Sequence, residues 1–231
     1  MFPIKDTIHS RSFPIITWLI IFLNTLVFLY ETSLSETGLE QFVYTFGLVP
    51  ARLTEGSPFA WMTLFSHMFL HGGWSHILSN MWMLFIFGDN VEDRMGSGRF
   101  LLFYLFGGVA AGIMQMMLGG DPNMPSIGAS GAIAAVMGAY FLFFPHSSVI
   151  TFVPIFFIWF INVPSIIYLG IWFISQLFSG ITSLALPSGT SAGGIAWWAH
   201  IGGFAFGLVL ALYFKARQRP PVVYRDEYYP W

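Results

Sequence analysis

Apolar runs of near-spanning length alternate with short polar breaks along most of this chain. The runs are 13–30, 74–88, 100–118, 130–144, 163–183 and 197–214. Crossing a bilayer takes about 20 apolar residues, with a range of about 17–25. The pattern therefore predicts an all-α membrane protein with six transmembrane helices in a single domain over residues 1–231, ending in a basic tail, 215–231. The 74–88 run is short unless residues before Trp74 extend it. Asp89, Glu92, Asp93, Arg94 and Arg99 mark a polar turn after it. Asp121-Pro122-Asn123 breaks the chain before the fourth span, and Pro187 to Ser191 before the sixth.

Two stretches do not fit a simple connection. Residues 31–73 mix Glu31, Glu36, Glu40 and Glu55 with Phe, Trp and Met, which predicts a long first outer loop folded on or into the membrane surface. Residues 149–162 are very apolar but hold Pro154, and are read as surface-lying or re-entrant. A seventh span there would put the two termini on opposite sides.

Composition agrees with a membrane protein. The chain is 56% hydrophobic and 9% charged, against about 25% charged in soluble domains. The net charge of -2 implies no acidic or basic partner, and no basic stretch suggests nucleic acid. Cysteine is absent, which excludes disulfides and thiolate metal sites. The 13–30 run has no clear cleavage site after it and reads as a retained span rather than a signal peptide. Of nine Lys and Arg, all but Arg52 fall on one side of the six-span topology. The positive-inside rule then puts both termini and the Asp89–Arg99 turn in the cytoplasm; a plasma (inner) membrane is the expected location.

That topology sets depth. Ser130 lies 15 residues before Pro145, His200 15 before Lys215, and His76 13 before Asp89. At 1.5 Å per residue all three sit roughly 20–22 Å above the cytoplasmic edge, hence about 8–10 Å below the outer surface of a core of about 30 Å. Polar groups in hydrocarbon are costly and are functional candidates by default. A serine and a histidine at one level suggest a nucleophile and its base.

Helix periodicity brings these two together. Ser130, Ala134 and Gly138 lie on one stripe, and His200, Gly203 and Gly207 on another. Small residues at that spacing let helices approach closely in lipid; generic packing is the plainer explanation for the glycines alone. No intramembrane carboxylate is available as a third member, so the pair would be a dyad. His76 and Asn80, four apart on the second span, carry donors suited to a developing oxyanion, to which the Ser130 backbone N–H could add a third. Interhelical hydrogen bonding is their alternative role. His67, His71 and His76 lack the His-Glu-x-x-His pattern and a nearby carboxylate, so no metal is expected. Glu92 and Arg94, beside Met95-Gly96-Ser97-Gly98, read as a structural ion pair and turn motif.

The chain resembles the rhomboid intramembrane serine proteases over nearly its whole length. The resemblance rests on His76-Ile77-Leu78-Ser79-Asn80, Glu92-Asp93-Arg94 before Gly96-Ser97-Gly98, Gly128-Ala129-Ser130-Gly131, and Ala199-His200-Ile201-Gly202-Gly203 followed by Gly207. It implies a six-helix bundle with a water-accessible cavity open to the outer face. It also implies Ser130 as nucleophile, His200 as base, and an oxyanion hole from His76, Asn80 and the Ser130 backbone. Implied substrates are membrane-anchored proteins cut in or near a transmembrane helix, without a cofactor. Two positions depart from relatives. Trp61-Met62 stands where some have Trp-Arg, and Ala134 where many have an aromatic against the histidine ring, a role Trp197 or Trp198 could take. The expected function is an intramembrane serine endopeptidase. A non-catalytic client-binding relative and a small transporter lined by His76, Asn80 and His200 are the alternatives.

Overall fold

The computed structural model describes residues 2–119, 121–155, 157–185 and 195–216. Six helices build its body: α1 (Ile15–Ser33) and, in the numbering of all helices along the chain, α5 (Trp74–Met95), α6 (Ser97–Leu118), α7 (Ser130–Phe143), α8 (Ser165–Leu184) and α9 (Trp197–Ala216). Three shorter helices, α2 (Glu36–Phe46), α3 (Pro50–Thr54) and α4 (Thr63–Ser66), lie between α1 and α5. By length and composition α1, α6, α8 and α9 can each cross a membrane. The protein is a multi-pass integral membrane protein.

Its helices are inside-out relative to a soluble bundle. On α1 the buried stripe is Thr17, Ile20, Asn24, Phe28 and Glu31, while Trp18, Leu19, Phe22 and Leu26 are exposed. Lipid solvates the outward apolar side chains, so the polar ones must find partners inside. Asn24 donates to the Ile20 carbonyl, and Glu31 accepts from the His71 N–H at 3.1 Å.

The centre is α7, buried without a break from Gly131 to Tyr140. Its 14 residues span roughly 21 Å, short of a hydrocarbon core of about 30 Å. One end is anchored at the level of charge, where the Arg94 guanidinium lies 5.9 Å from the centre of the Phe143 ring. Ser130 opens the other end of the helix.

Glycine sets how closely α9 lies against α7. A methyl group on Gly203 would collide with the Gly131 carbonyl oxygen, one on Gly207 with that of Ala135, and one on Gly138 with that of Phe204. The two small-residue stripes do face each other, with Gly131 and Ala135 sharing the α7 side of the contact.

The polar turn after the second span is narrower than expected. Asp89 to Met95 continue α5, and the chain reverses at Gly96, whose φ of 82° suits glycine and whose N–H bonds the Glu92 carbonyl at 2.7 Å. The Glu92 side chain receives the N–H groups of Ile16 and Thr17 and the hydroxyls of Thr17 and Ser97. A carboxylate is thus set on the first turn of α1, where the helix dipole favours it.

The stretch read as surface-lying or re-entrant is a β-hairpin. β2 (Ser148–Ile155) pairs antiparallel with β3 (Phe157–Pro164), and β1 (Phe2–Asp6) adds to the free edge of β2. The sequence is rich in Val, Ile, Thr and aromatics, which suit a pleated surface. The sheet sits at the Arg94 end of the bundle. There the Trp82 indole donates to the Pro3 carbonyl, and Tyr140 and Asn90 both donate to the Asp6 carboxylate, at 2.6 and 2.8 Å.

The outer loop is helical and apolar on its exposed side, through Tyr44, Phe59, Trp61 and Met62. Leu48, Leu53, Ala60 and Leu64 form its own small core, against Val109 and Met116 of α6. Met62 is among the exposed positions, so the residue standing where some relatives have Arg faces outward.

Two measurements check this architecture. Gly207→Ala forces a methyl into the Ala135 backbone and is expected to cost about 1–3 kcal/mol, read as a lowered unfolding temperature in detergent; Val209→Ala, at a position 68% exposed, leaves it unchanged. Burial pushes the Asp6 carboxyl up to about 7, with Asp89 adding to the rise and the Tyr140 hydrogen bond and Lys5 opposing it. A carboxyl raised in the folded state favours folding most below its unfolded pKa of 3.8, and that advantage is lost between there and about 7. Asp6→Asn is therefore expected to gain stability over the parent at pH 8 and to lose that gain at pH 4.

Candidate active site

Ser130 is the first residue of α7, entered through Gly128 and Ala129. Gly128 has φ of 121°, and a side chain there would also meet His76 Nε2 at 2.6 Å. Both constraints exclude any other residue without distortion. The Gly128 N–H bonds the His67 carbonyl at 2.9 Å, tying the serine turn to the outer loop. Gly131 follows, close against the Ala111 methyl of α6 and Ala199 of α9.

His200 lies in the first turn of α9, held by α6: the Ala199 N–H donates to Gln115 Oε1 at 3.1 Å. Gly203, one turn on, removes the side chain that would keep α9 off Gly131. The imidazole Nε2 then lies 2.8 Å from Ser130 Oγ. Both residues are half-buried rather than sealed. The other ring nitrogen, Nδ1, lies 2.8 Å from Gln176 Oε1 of α8. Two indoles border the ring: Trp172 at 5.8 Å and 36°, and Trp197 edge-on at 6.2 Å. Trp197 is one of the aromatics expected to stand in for the residue missing at Ala134; Trp172 is an additional one, supplied by α8.

His76 and Asn80 approach the same turn from α5. The Gly72 N–H donates to His76 Nδ1 at 3.3 Å, which leaves the ring proton on Nε2, facing Gly128. Asn80 is 6% exposed, and its Nδ2 has no hydrogen-bond partner. A buried donor left unmade costs about 1–3 kcal/mol; the His71 ring nitrogens, the Tyr104 hydroxyl and the Trp198 indole N–H are unpartnered in the same way. The first N–H groups of α7 likewise have no acceptor within the helix.

The remaining predicted residues stand apart. Glu92 and Arg94 lie at the opposite end of the bundle, where Glu92 joins α1 to the α5–α6 turn. The His67 Nδ1 shares a hydrogen bond with the Thr63 carbonyl, and burial lowers its pKa to about 4, so the ring is neutral. The His71 ring lies against His76, with centroids 5.1 Å apart.

Gln115 and Gln176 escaped the sequence reading. Gln176 carried a signal: it is the one amide in Ser165–Leu184, an otherwise apolar span, where a polar side chain needs a partner. Its partner lies 24 residues away, on another helix.

A family model described as the Rhomboid domain matches residues 58–217. Rhomboid protease GluP of Bacillus subtilis (strain 168) is 35% identical over 136 residues, 58% of this chain and 26% of that protein. Rhomboid-like protein 11, chloroplastic, of Arabidopsis thaliana is 30% identical over 156 residues, covering 65% and 51%. Rhomboid protease GlpG of Salmonella newport (strain SL254) is 27% identical over 143 residues, covering 61% and 48%. The chain thus spans about half or less of the length of these relatives. The match includes the helix that presents His76 and Asn80, the turn that presents Ser130 and the helix that presents His200, and on that ground the chain belongs to the rhomboid family.

Proposed function

We propose that this protein is an intramembrane serine endopeptidase, with Ser130 as nucleophile and His200 as general base. The observation that carries the reading is the 2.8 Å contact between Ser130 Oγ and His200 Nε2, beside an unpartnered Asn80 donor. Names of relatives from two bacteria that contain "protease" support it.

The chemistry follows from the geometry. A serine hydroxyl is a poor nucleophile until a base takes its proton. As Oγ attacks the scissile carbonyl, Nε2 receives that proton. Negative charge then develops on the carbonyl oxygen. Asn80 Nδ2, His76 Nε2–H and the Ser130 N–H are the donors that would meet it, in a site where fixed dipoles are worth far more than in water. His200 next passes the proton to the departing amine, which leaves an acyl-enzyme on Ser130. A water activated by the same imidazole releases the second product.

A central helix of only 14 residues would set the serine end below the membrane surface and so determine where this happens. A short central helix leaves room for water below the membrane surface, so hydrolysis need not take place in dry lipid. Substrates would be membrane-anchored proteins whose transmembrane helix loosens near that depth, because a regular helix shields its peptide bonds. The termini and the sheet would lie in the cytoplasm, as the Lys and Arg distribution requires.

With purified protein in liposomes and a panel of single-span substrates, Ser130→Ala and His200→Ala are expected to abolish cleavage without lowering the unfolding temperature. A fluorophosphonate probe should label the parent and leave Ser130→Ala unlabelled. His200→Ala cleaving at the parental rate would refute the dyad. Asn80→Ala is expected to slow turnover by no more than about 10²–10³, the worth of one oxyanion donor where others remain.

A further inference from the structure

Serving as a base requires His200 to hold a lone pair on Nε2, and so its proton on Nδ1. An unrestrained histidine prefers the opposite tautomer, with the proton on Nε2. Something must therefore hold the Nδ1 proton.

The contacts on α8 determine the direction of each hydrogen bond from a main-chain carbonyl outward. The Trp172 carbonyl can only accept. It receives the Ser175 hydroxyl at 2.6 Å and lies 3.3 Å from Gln176 Nε2. With its proton spent on that carbonyl, Ser175 Oγ can only accept from Gln176 Nε2, at 3.0 Å. Two acceptors thus claim the amide nitrogen, and the amide cannot be flipped without facing oxygen with oxygen. Gln176 Oε1 is therefore the atom turned to His200, 2.8 Å from Nδ1. An acceptor there requires Nδ1–H, which leaves Nε2 free to accept from Ser130 Oγ. Gln176 is only 6% exposed, so water does not readily replace it. The same turn of α8 supplies the Trp172 indole beside the ring, so tautomer and ring plane are set by one helix face.

We propose that Gln176 is a positioning residue that locks His200 in the Nδ1–H tautomer, with Trp172 and Ser175 holding its amide in the required orientation. The proposal rests on the dyad reading above and gives the dyad a neutral third member. Without a carboxylate, His200 would act through orientation, with no negative charge to stabilise the imidazolium.

The test uses the full chain in liposomes, with Gln176→Leu and Gln176→Glu. Leu keeps the bulk and removes the acceptor. Forcing the wrong tautomer in a Ser-His-Asp site costs about 10⁴ in kcat. Leu only releases the tautomer, so the expected loss is smaller, roughly 10- to 100-fold in kcat with KM unchanged. Fluorophosphonate labelling of Ser130 should slow in parallel. Glu restores an acceptor and adds a charge. It is expected to recover kcat to within about threefold at high pH, and to move the acid limb of the pH profile upward because a carboxylate favours the imidazolium.

Nitrogen-15 spectra of the His200 ring provide a readout independent of turnover. The parent should show Nδ1 protonated, and Gln176→Leu should show Nε2 protonation rising. Parental kcat, labelling rate and tautomer in Gln176→Leu would overturn the proposal. So would a Gln176→Glu variant as impaired as Leu at every pH, since that pattern belongs to a purely packing role. Failure of the dyad itself looks different: Ser130→Ala would then cleave as the parent does, and the tautomer lock would fall with it.

Discussion

Contact between the backbones of α7 and α9 is the constraint on which the site depends. In lipid, helices gain nothing by hiding apolar surface from water, so dispersion and close packing must hold them together. Gly203, Gly207 and Gly138 remove the side chains that would separate the two axes. One consequence is adhesion. The other is registration: with Gly203 against the Gly131 carbonyl, the first turns of both helices are level. A hydroxyl at the start of one and an imidazole in the first turn of the other then meet at hydrogen-bond distance. A bundle held by larger side chains would gain packing area and lose this contact.

The second determinant is the length of α7. A central helix of 14 residues cannot cover the hydrocarbon thickness, and every neighbouring long helix has at least 19. Its charged-level end is held by Arg94 and by the sheet, through Tyr140 and Asp6. At the serine end the outer loop packs from the side. The Gly128 N–H bonded to the His67 carbonyl, and Leu48 paired with Ser126, join that loop to the serine turn. Reactive turn, loop and donors from α5 thus form one connected unit rather than a hole left between helices.

Several buried polar side chains in this bundle pair with backbone groups. Glu92, Glu31, Asn24 and Gln115 each satisfy or are satisfied by backbone groups, as expected where no water is present to do so. Asn80 Nδ2 is one of several buried polar atoms without a hydrogen-bond partner, with Asn24 Oδ1, the His71 ring nitrogens, the Tyr104 hydroxyl and the Trp198 indole N–H, and it is set apart by its approach to Gly128, two residues before Ser130. Its place beside the Ser130 turn, rather than the missing partner alone, marks it as a candidate oxyanion donor.

Much of this was legible in the chain. Apolar run length and the near-absence of charge mark the membrane helices, and the cost of polarity in hydrocarbon singles out Ser130, His200 and His76 as candidates; these are local rules. The stripes that join α7 to α9 follow from periodicity, also local. The hairpin of β2 and β3 did not emerge, because an apolar run with β-branched residues suits a strand or a buried helix equally, and the strand that extends its sheet lies at the other end of the chain, at Phe2–Asp6. Nor did Gln176 or Trp172. A lone amide in an apolar helix announces that it needs a partner, but periodicity on α8 says nothing about which neighbour it faces. Chain-local physics picked out which polar residues are candidates; only packing of separate helices decided which atom each nitrogen of His200 would meet.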